Sequence, residues 1–213
     1  MIKAIIFDYD GLLVDTDNIW FQSCIKLCKE YGVTIPQEDR EDLMRGNLSE
    51  YLVQKYALPD PKEVIKPKLA DLFDGITKNG ISVLPGAIEL VKKLSKKYPL
   101  AVASGTNTKR LSASLKTLGI YNCFQVVIGI DQVKNGKPAP DTFLKAAEEL
   151  HVDPKNCLVF EDQPKGLEAA KAASMFCIVV PNKHLKGIDY AKADKVIKSL
   201  TLVTDDIIQE IGL

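Results

Sequence analysis

Lys3-Ala4-Ile5-Ile6-Phe7-Asp8-Tyr9-Asp10-Gly11 runs from a short apolar stretch straight into two carboxylates and a glycine. Four consecutive apolar residues too few for a helix, followed by a turn signal, predict a strand over residues 3–7 that is covered on both faces. The same reading applies further along the chain, at residues 100–104, 125–128, 156–160, 176–180 and 195–197. Amphipathic patterns separate these runs. Ala87, Leu90, Val91 and Leu94 follow helical spacing, as do Leu111, Leu115 and Leu118. Pro85-Gly86 and Pro140-Asp141 read as helix starts, and Gly119 as a helix end. Alternating strands and helices with right-handed crossovers predict a doubly wound, mostly parallel α/β sheet.

One interval breaks the alternation. Residues 15–82 contain no convincing strand. Trp20, Cys24, Leu27, Cys28 and Tyr31 form one stripe at helical spacing. Pro36 with the following Gln-Glu-Asp-Arg reads as the acidic first turn of a second helix, and two or three more helices fit between residues 48 and 78. The expected organisation is an α/β core of residues 1–14 and 83–213, interrupted by a helical insertion of residues 15–82.

Composition narrows the function classes. The 213 residues carry 28 Lys+Arg against 28 Asp+Glu, a formal net charge of zero. Such a chain lacks the broad positive field that non-specific nucleic-acid binding or anionic membranes require. No apolar run approaches the roughly 20 residues of a membrane span, and the N-terminus does not read as a signal peptide. The five cysteines, Cys24, Cys28, Cys123, Cys157 and Cys177, are scattered without a CxxC pair. They read as reduced, mostly buried thiols of a cytoplasmic protein. A monomer suits this composition.

In open α/β sheets, ligands bind outside the carboxyl ends of the strands, so the residues just past each strand matter most. The first strand leads into Asp8-Tyr9-Asp10-Gly11, the second into Ser104-Gly105-Thr106-Asn107 and the fourth into Glu161-Asp162, while Gly136-Lys137-Pro138 follows further on from the third. Each has an ordinary structural explanation: a tight turn, a helix cap, a solvated lysine, a helix-dipole complement. Their convergence on one edge of the sheet points to a site.

These four segments, in this order, resemble the four motifs of the haloacid-dehalogenase-like hydrolase superfamily. Phe7–Gly11, Lys137–Asp141 and Phe160–Gly166 look most like the β-phosphoglucomutase-like phosphatase branch. The helical insertion resembles that family's small α-helical cap. The resemblance implies a Mg²⁺-dependent phosphatase acting on a small phosphorylated metabolite, a sugar or polyol phosphate, through an aspartyl-phosphate. It implies Asp8 as nucleophile and Asp10 as general acid–base. It also implies phosphate binding by Ser104, Gly105, Thr106 and Lys137, and a metal site of Asp8, the Asp10 backbone carbonyl, Glu161 and Asp162. The roles suit phosphoryl transfer, in which a carboxylate attacks phosphorus and cations offset the charge.

The alternative is a phosphosugar mutase. True β-phosphoglucomutases carry a His in the first cap helix, where this chain has Trp20. They also carry an Arg after the cap's glycine turn, where this chain reads Gly46-Asn47-Leu48-Ser49. Both departures favour the phosphatase. Trp20 and Arg45 are candidates for substrate specificity, with cap packing and an exposed helix end as their plain alternatives. His151 and His184 fall at no motif and receive no catalytic role.

Overall fold

The computed structural model describes residues 1–45, 47–78, 80–185 and 187–212, with the side chain of Arg45 outside the described set. The apolar runs form strands β1 (Ala4–Phe7), β2 (Leu100–Ala103), β3 (Val126–Ile128), β4 (Cys157–Glu161), β5 (Phe176–Val179) and β6 (Lys195–Val196). They lie in the order β3-β2-β1-β4-β5-β6, and every neighbouring pair is parallel. β1 sits inside the sheet, with Phe7 opposite Val102 on one side and Phe160 on the other. That position explains the uninterrupted Ala-Ile-Ile-Phe, all four residues being fully buried.

The chain divides into two compact units. One comprises Met1–Val14, Val83–Asn182 and Ile188–Leu213, and the other Asp15–Ser82 with Lys183–Gly187. The second unit contains α1 (Thr16–Glu30), α2 (Arg40–Arg45), α3 (Leu48–Tyr56) and α4 (Lys62–Thr77). Cys24, Leu27 and Cys28 of the expected stripe are buried, while Trp20 and Tyr31 are half-buried. The Pro36 segment differs from the expected helix start. It forms a single 3₁₀ turn, Gln37–Asp39, that leads into α2. There the Asp39 carboxylate receives Lys55 Nζ at 2.7 Å and the hydroxyl of Tyr56, which draws it towards α3. The short segment Lys183–Gly187 groups with these helices through Lys183 Nζ on Asp15 Oδ2 at 2.6 Å and His184 Nε2 3.3 Å from Arg40 Nη2.

The α/β unit carries α5 (Ala87–Leu94), α6 (Thr108–Thr117), α7 (Asp141–Glu149), α8 (Pro164–Ala172) and α9 (Asp205–Ile211). Gly86, at φ +81°, is the N-cap residue of α5, and α7 begins at Asp141, directly after Pro140. Gly119, at φ +67°, stands just past the end of α6. Under β1 and β4, the Phe7 ring stacks on Phe160 with centroids 5.1 Å apart and meets Phe124 edge-on at 6.2 Å. Truncating such a fully buried ring to alanine typically costs about 3–5 kcal/mol. This packing holds the two strands that end at the carboxylates.

Candidate active site

The backbone just past β1 still belongs to the sheet: the Asp8 amide donates to the Phe160 carbonyl at 2.9 Å. The chain then turns back, with Gly11 N donating to Val14 O at 2.9 Å. Gly11 has φ +81°, and a Cβ there would lie 2.2 Å from Asp162 Oδ2. Glycine is therefore required twice over, for the backbone conformation and for the close approach of a carboxylate. Tyr9 faces elsewhere and pairs its hydroxyl with Ser114 Oγ.

β4 delivers Glu161 and Asp162, both buried. Glu161 Oε2 accepts the backbone N–H groups of Asp162 at 2.6 Å and Gln163 at 2.8 Å. Gly166, in α8, leaves room for this carboxylate, since a Cβ there would fall 1.6 Å from Glu161 Oε1. Lys137 comes from the loop between β3 and α7. Its Nζ donates to Asp8 Oδ1 at 2.5 Å and Glu161 Oε1 at 2.8 Å and lies 4.5 Å from the centre of the Phe143 ring. The Lys137, Asp8 and Glu161 side chains are only 9%, 7% and 2% exposed.

Burial pushes the Asp8 carboxyl from its ordinary 3.8 up to about 7, and the charges of Glu161 and Asp10 add to this while Lys137 opposes it. Burial acts the other way on Lys137, but its two carboxylate partners outweigh that and hold the ammonium above the usual lysine range. Lys137 is thus a permanent cation at the centre of the site.

At the end of β2, Ser104 N is tied to Ile128 O at 3.0 Å. The Ser104 hydroxyl donates to Asp10 Oδ2 at 2.6 Å, and the Thr106 hydroxyl donates to the same oxygen at 2.9 Å. Thr106 N donates in turn to Ser104 Oγ at 2.9 Å. Gly105 is exposed, and a Cβ on it would meet nothing within 4 Å, so no steric demand explains it.

Asp8, Glu161 and Asp162 can each offer an oxygen such that all three atoms lie within 4.8 Å of one another. When ionised, these three buried carboxylates face one buried ammonium, an excess of two negative charges that a divalent cation would offset. The donors are hard oxygens, which suit Mg²⁺ better than a thiophilic metal. The site therefore fits a hard divalent ion. The Asp10 side chain stands outside this trio, turned to Ser104 and Thr106.

In the helical unit, the Trp20 ring packs on Phe73 with centroids 4.2 Å apart. The Arg45 side chain lies outside the described residues. Three further contributors were not among the sequence candidates: Gly11 and Gly166, which make room for carboxylates, and Asn182, whose amide donates to Asp162 Oδ2 at 2.6 Å. Gly11 and Gly166 lie inside the recognised motifs. Asn182 comes after β5, one strand beyond the four that lead into motifs.

A sequence profile described as haloacid dehalogenase-like hydrolase matches residues 5–180. The chain is 34% identical to the bifunctional riboflavin kinase/FMN phosphatase of Arabidopsis thaliana, over 93% of its own length but only 53% of that protein's. It is also 34% identical to the phosphorylated carbohydrates phosphatase of Thermotoga maritima, covering 82% of each chain. The β-phosphoglucomutase (pgmB) of Clostridium difficile superposes with a TM-score of 0.81 at 27% identity, covering 100% of this chain and 97% of that one. Among the described residues, no helix is long and apolar enough to cross a membrane. The profile match, the parallel sheet and the phosphatase relatives agree: the chain belongs to the haloacid dehalogenase-like hydrolases, as an enzyme of the phosphoric monoester hydrolase class.

Proposed function

We propose that this protein is a Mg²⁺-dependent phosphatase that hydrolyses a small phosphorylated metabolite, a sugar or polyol phosphate, through an aspartyl-phosphate. The observation that carries the reading is the Lys137 bridge between Asp8 and Glu161, beside Asp162. It supports Asp8 rather than Asp10 as the nucleophile, since Asp8 alone of the two is held by the buried cation and belongs to the carboxylate trio. Asp8, Glu161 and Asp162 would hold the metal, together with the Asp10 backbone carbonyl. When bound, Mg²⁺ offsets charge on the transferring phosphoryl group and keeps Asp8 ionised.

An Asp8 carboxylate oxygen attacks phosphorus as the bond to the leaving alkoxide breaks. Asp10 protonates that alkoxide, then takes a proton from the water that cleaves the acyl-phosphate. Lys137 orients Asp8 and offsets its charge, while the Ser104 and Thr106 hydroxyls, with nearby backbone N–H groups, hold phosphate oxygens. Both hydroxyls also reach Asp10 Oδ2, at 2.6 and 2.9 Å, which keeps the acid–base carboxylate beside the phosphate site.

Residues 15–82 act as the cap that selects the substrate. Within the cap, Asn47 Oδ1 accepts Ser49 Oγ at 2.9 Å and Glu50 N at 3.4 Å, so the Asn47 and Ser49 side chains serve the start of α3. The absence of an Arg from Asn47-Leu48-Ser49 in the sequence favours a phosphatase over a mutase, which needs a second phosphate holder there. All five cysteines are free thiols, which suits a reducing cytoplasm.

The test is phosphate release from a panel of sugar and polyol phosphates, with and without a chelator, and with glucose 1-phosphate isomerisation followed in parallel. Chelator-sensitive release, lowered about 10³-fold or more by Asp8→Asn, is the expected result. Isomerisation faster than release would establish the mutase instead.

A further inference from the structure

We infer that Asn182 is a positioning residue for the Asp162 carboxylate and thereby sets the affinity of the site for its divalent cation. This inference rests on the metal-dependent reading above. The placement begins in the sheet. β4 and β5 are paired in parallel with Glu161 opposite Val179, and Val180 N continues the ladder to Glu161 O at 2.8 Å. Two residues on, Asn182 N donates to Asp162 O at 3.2 Å, which brings the two side chains together past the strand ends. The Asn182 amide then donates to Asp162 Oδ2 at 2.6 Å.

Both side chains are buried, at 5% and 1% exposure, and both press on the backbone of Gly11. A Cβ on Gly11 would lie 2.2 Å from Asp162 Oδ2 and 2.9 Å from Asn182 Nδ2. The amide–carboxylate pair, formed past the ends of β4 and β5, therefore packs against the loop after β1. Tyr190 also holds the segment after β4, its hydroxyl donating to the Asp162 carbonyl at 3.1 Å.

The chemistry of the donor matters. Lys137 orients Asp8 with a full positive charge and cancels part of the attraction that Asp8 offers a metal. An amide donates an equally directed hydrogen bond with no net charge. Asn182 thus orients Asp162 without itself offsetting the carboxylate's negative charge. Partners of this kind, outside the ligand set, commonly change metal affinity by about 10–100-fold when removed.

The test measures binding directly. Mg²⁺ is titrated calorimetrically, and Mn²⁺ by electron paramagnetic resonance, into substrate-free wild type, Asn182→Leu and Asn182→Asp. Leu is close in size and lacks the donor. Asp keeps the shape but replaces the donor with an acceptor, so the pair also controls for a folding defect in either variant. Both should weaken binding by about 10–100-fold, and the thermal midpoint should fall less for Asn182→Leu than for Asn182→Asp, which buries a second carboxylate against Asp162. The Mg²⁺ concentration for half-maximal activity should rise in step, while kcat at saturating Mg²⁺ falls by a smaller factor. Unchanged Mg²⁺ affinity in a folded variant would overturn the assignment, as would a fall in kcat at saturating metal without a change in affinity. A wild-type protein that binds neither ion would overturn the metal-dependent reading itself and the Asn182 assignment with it. Tight wild-type binding that the variants share would overturn Asn182 alone.

Discussion

Two lysine–carboxylate clusters in this molecule use the same chemistry with opposite consequences. In the α/β unit, Lys137 bridges Asp8 and Glu161 with all three side chains under 10% exposed. In the helical unit, Lys68 donates to Asp60 at 2.9 Å and to the Tyr31 hydroxyl at 2.6 Å, with Lys68 and Asp60 side chains 43% and 36% exposed. Asp8 is driven up to about 7 by burial despite its lysine. Asp60 is held below the usual carboxylate range by its hydrogen bonds from Lys68 and Tyr31. Solvent makes the difference. Water screens the outer pair, leaving a surface tie between α1, α4 and the loop before α4. Exclusion of water leaves the inner cluster as a set of charges in which each depends on the others.

Breaking the inner cluster should have the largest effect. Lys137→Met leaves Asp8 and Glu161 facing each other without their cation. Turnover should fall by about 10²–10⁴-fold, because a preorganised charge at the reacting group is lost. Steady-state phosphate release at saturating Mg²⁺ measures this, and a fall of less than threefold would place the lysine outside the chemistry.

The pH response sharpens the contrast. In the metal-free protein, folded Asp8 keeps its proton up to about 7, whereas in the unfolded chain the group releases it near 3.8. The stability contributed by Asp8 is therefore complete below 3.8 and declines as pH rises through about 7. A divalent cation needs the ionised form and has no proton to displace at pH 8. The Mg²⁺-induced gain in thermal midpoint should accordingly be larger at about pH 8 than at about pH 5.5. Equal gains would show that Asp8 does not titrate in this window.

The smallest effect belongs to the outer cluster. Lys68→Ala and Asp60→Ala should leave turnover unchanged and barely move the thermal midpoint. A clear loss of activity in either would mean that the exposed tie, too, serves catalysis.

The legibility of the chain kept to the same division. Strands buried on both faces are apolar throughout, so β1, β2, β4 and β5 could be read from composition within a residue or so of their ends. The groups at their carboxyl ends lie close in sequence to those runs, which made Asp8, Asp10, Ser104, Glu161 and Asp162 candidates, whereas Lys137 stands nine residues past the end of β3. Asn182 escaped because an isolated Asn after Pro181 reads as an ordinary turn, and its role exists only through a carboxylate 20 residues away in sequence. The 3₁₀ turn at Gln37–Asp39 escaped for a related reason, since Asp39 is engaged by Lys55 and Tyr56 of another helix.

By itself, the sequence determined the alternation of strands and helices, the helical insertion and the residues at the strand ends, because these depend on local periodicity and turn chemistry. Only the tertiary structure decided the strand order β3-β2-β1-β4-β5-β6, the bridge of Lys137 to two carboxylates, the parking of Asp10 on Ser104 and Thr106, and the clamp of Asn182 on Asp162. Those depend on burial and on contacts between distant segments, and both arise only when the chain is packed.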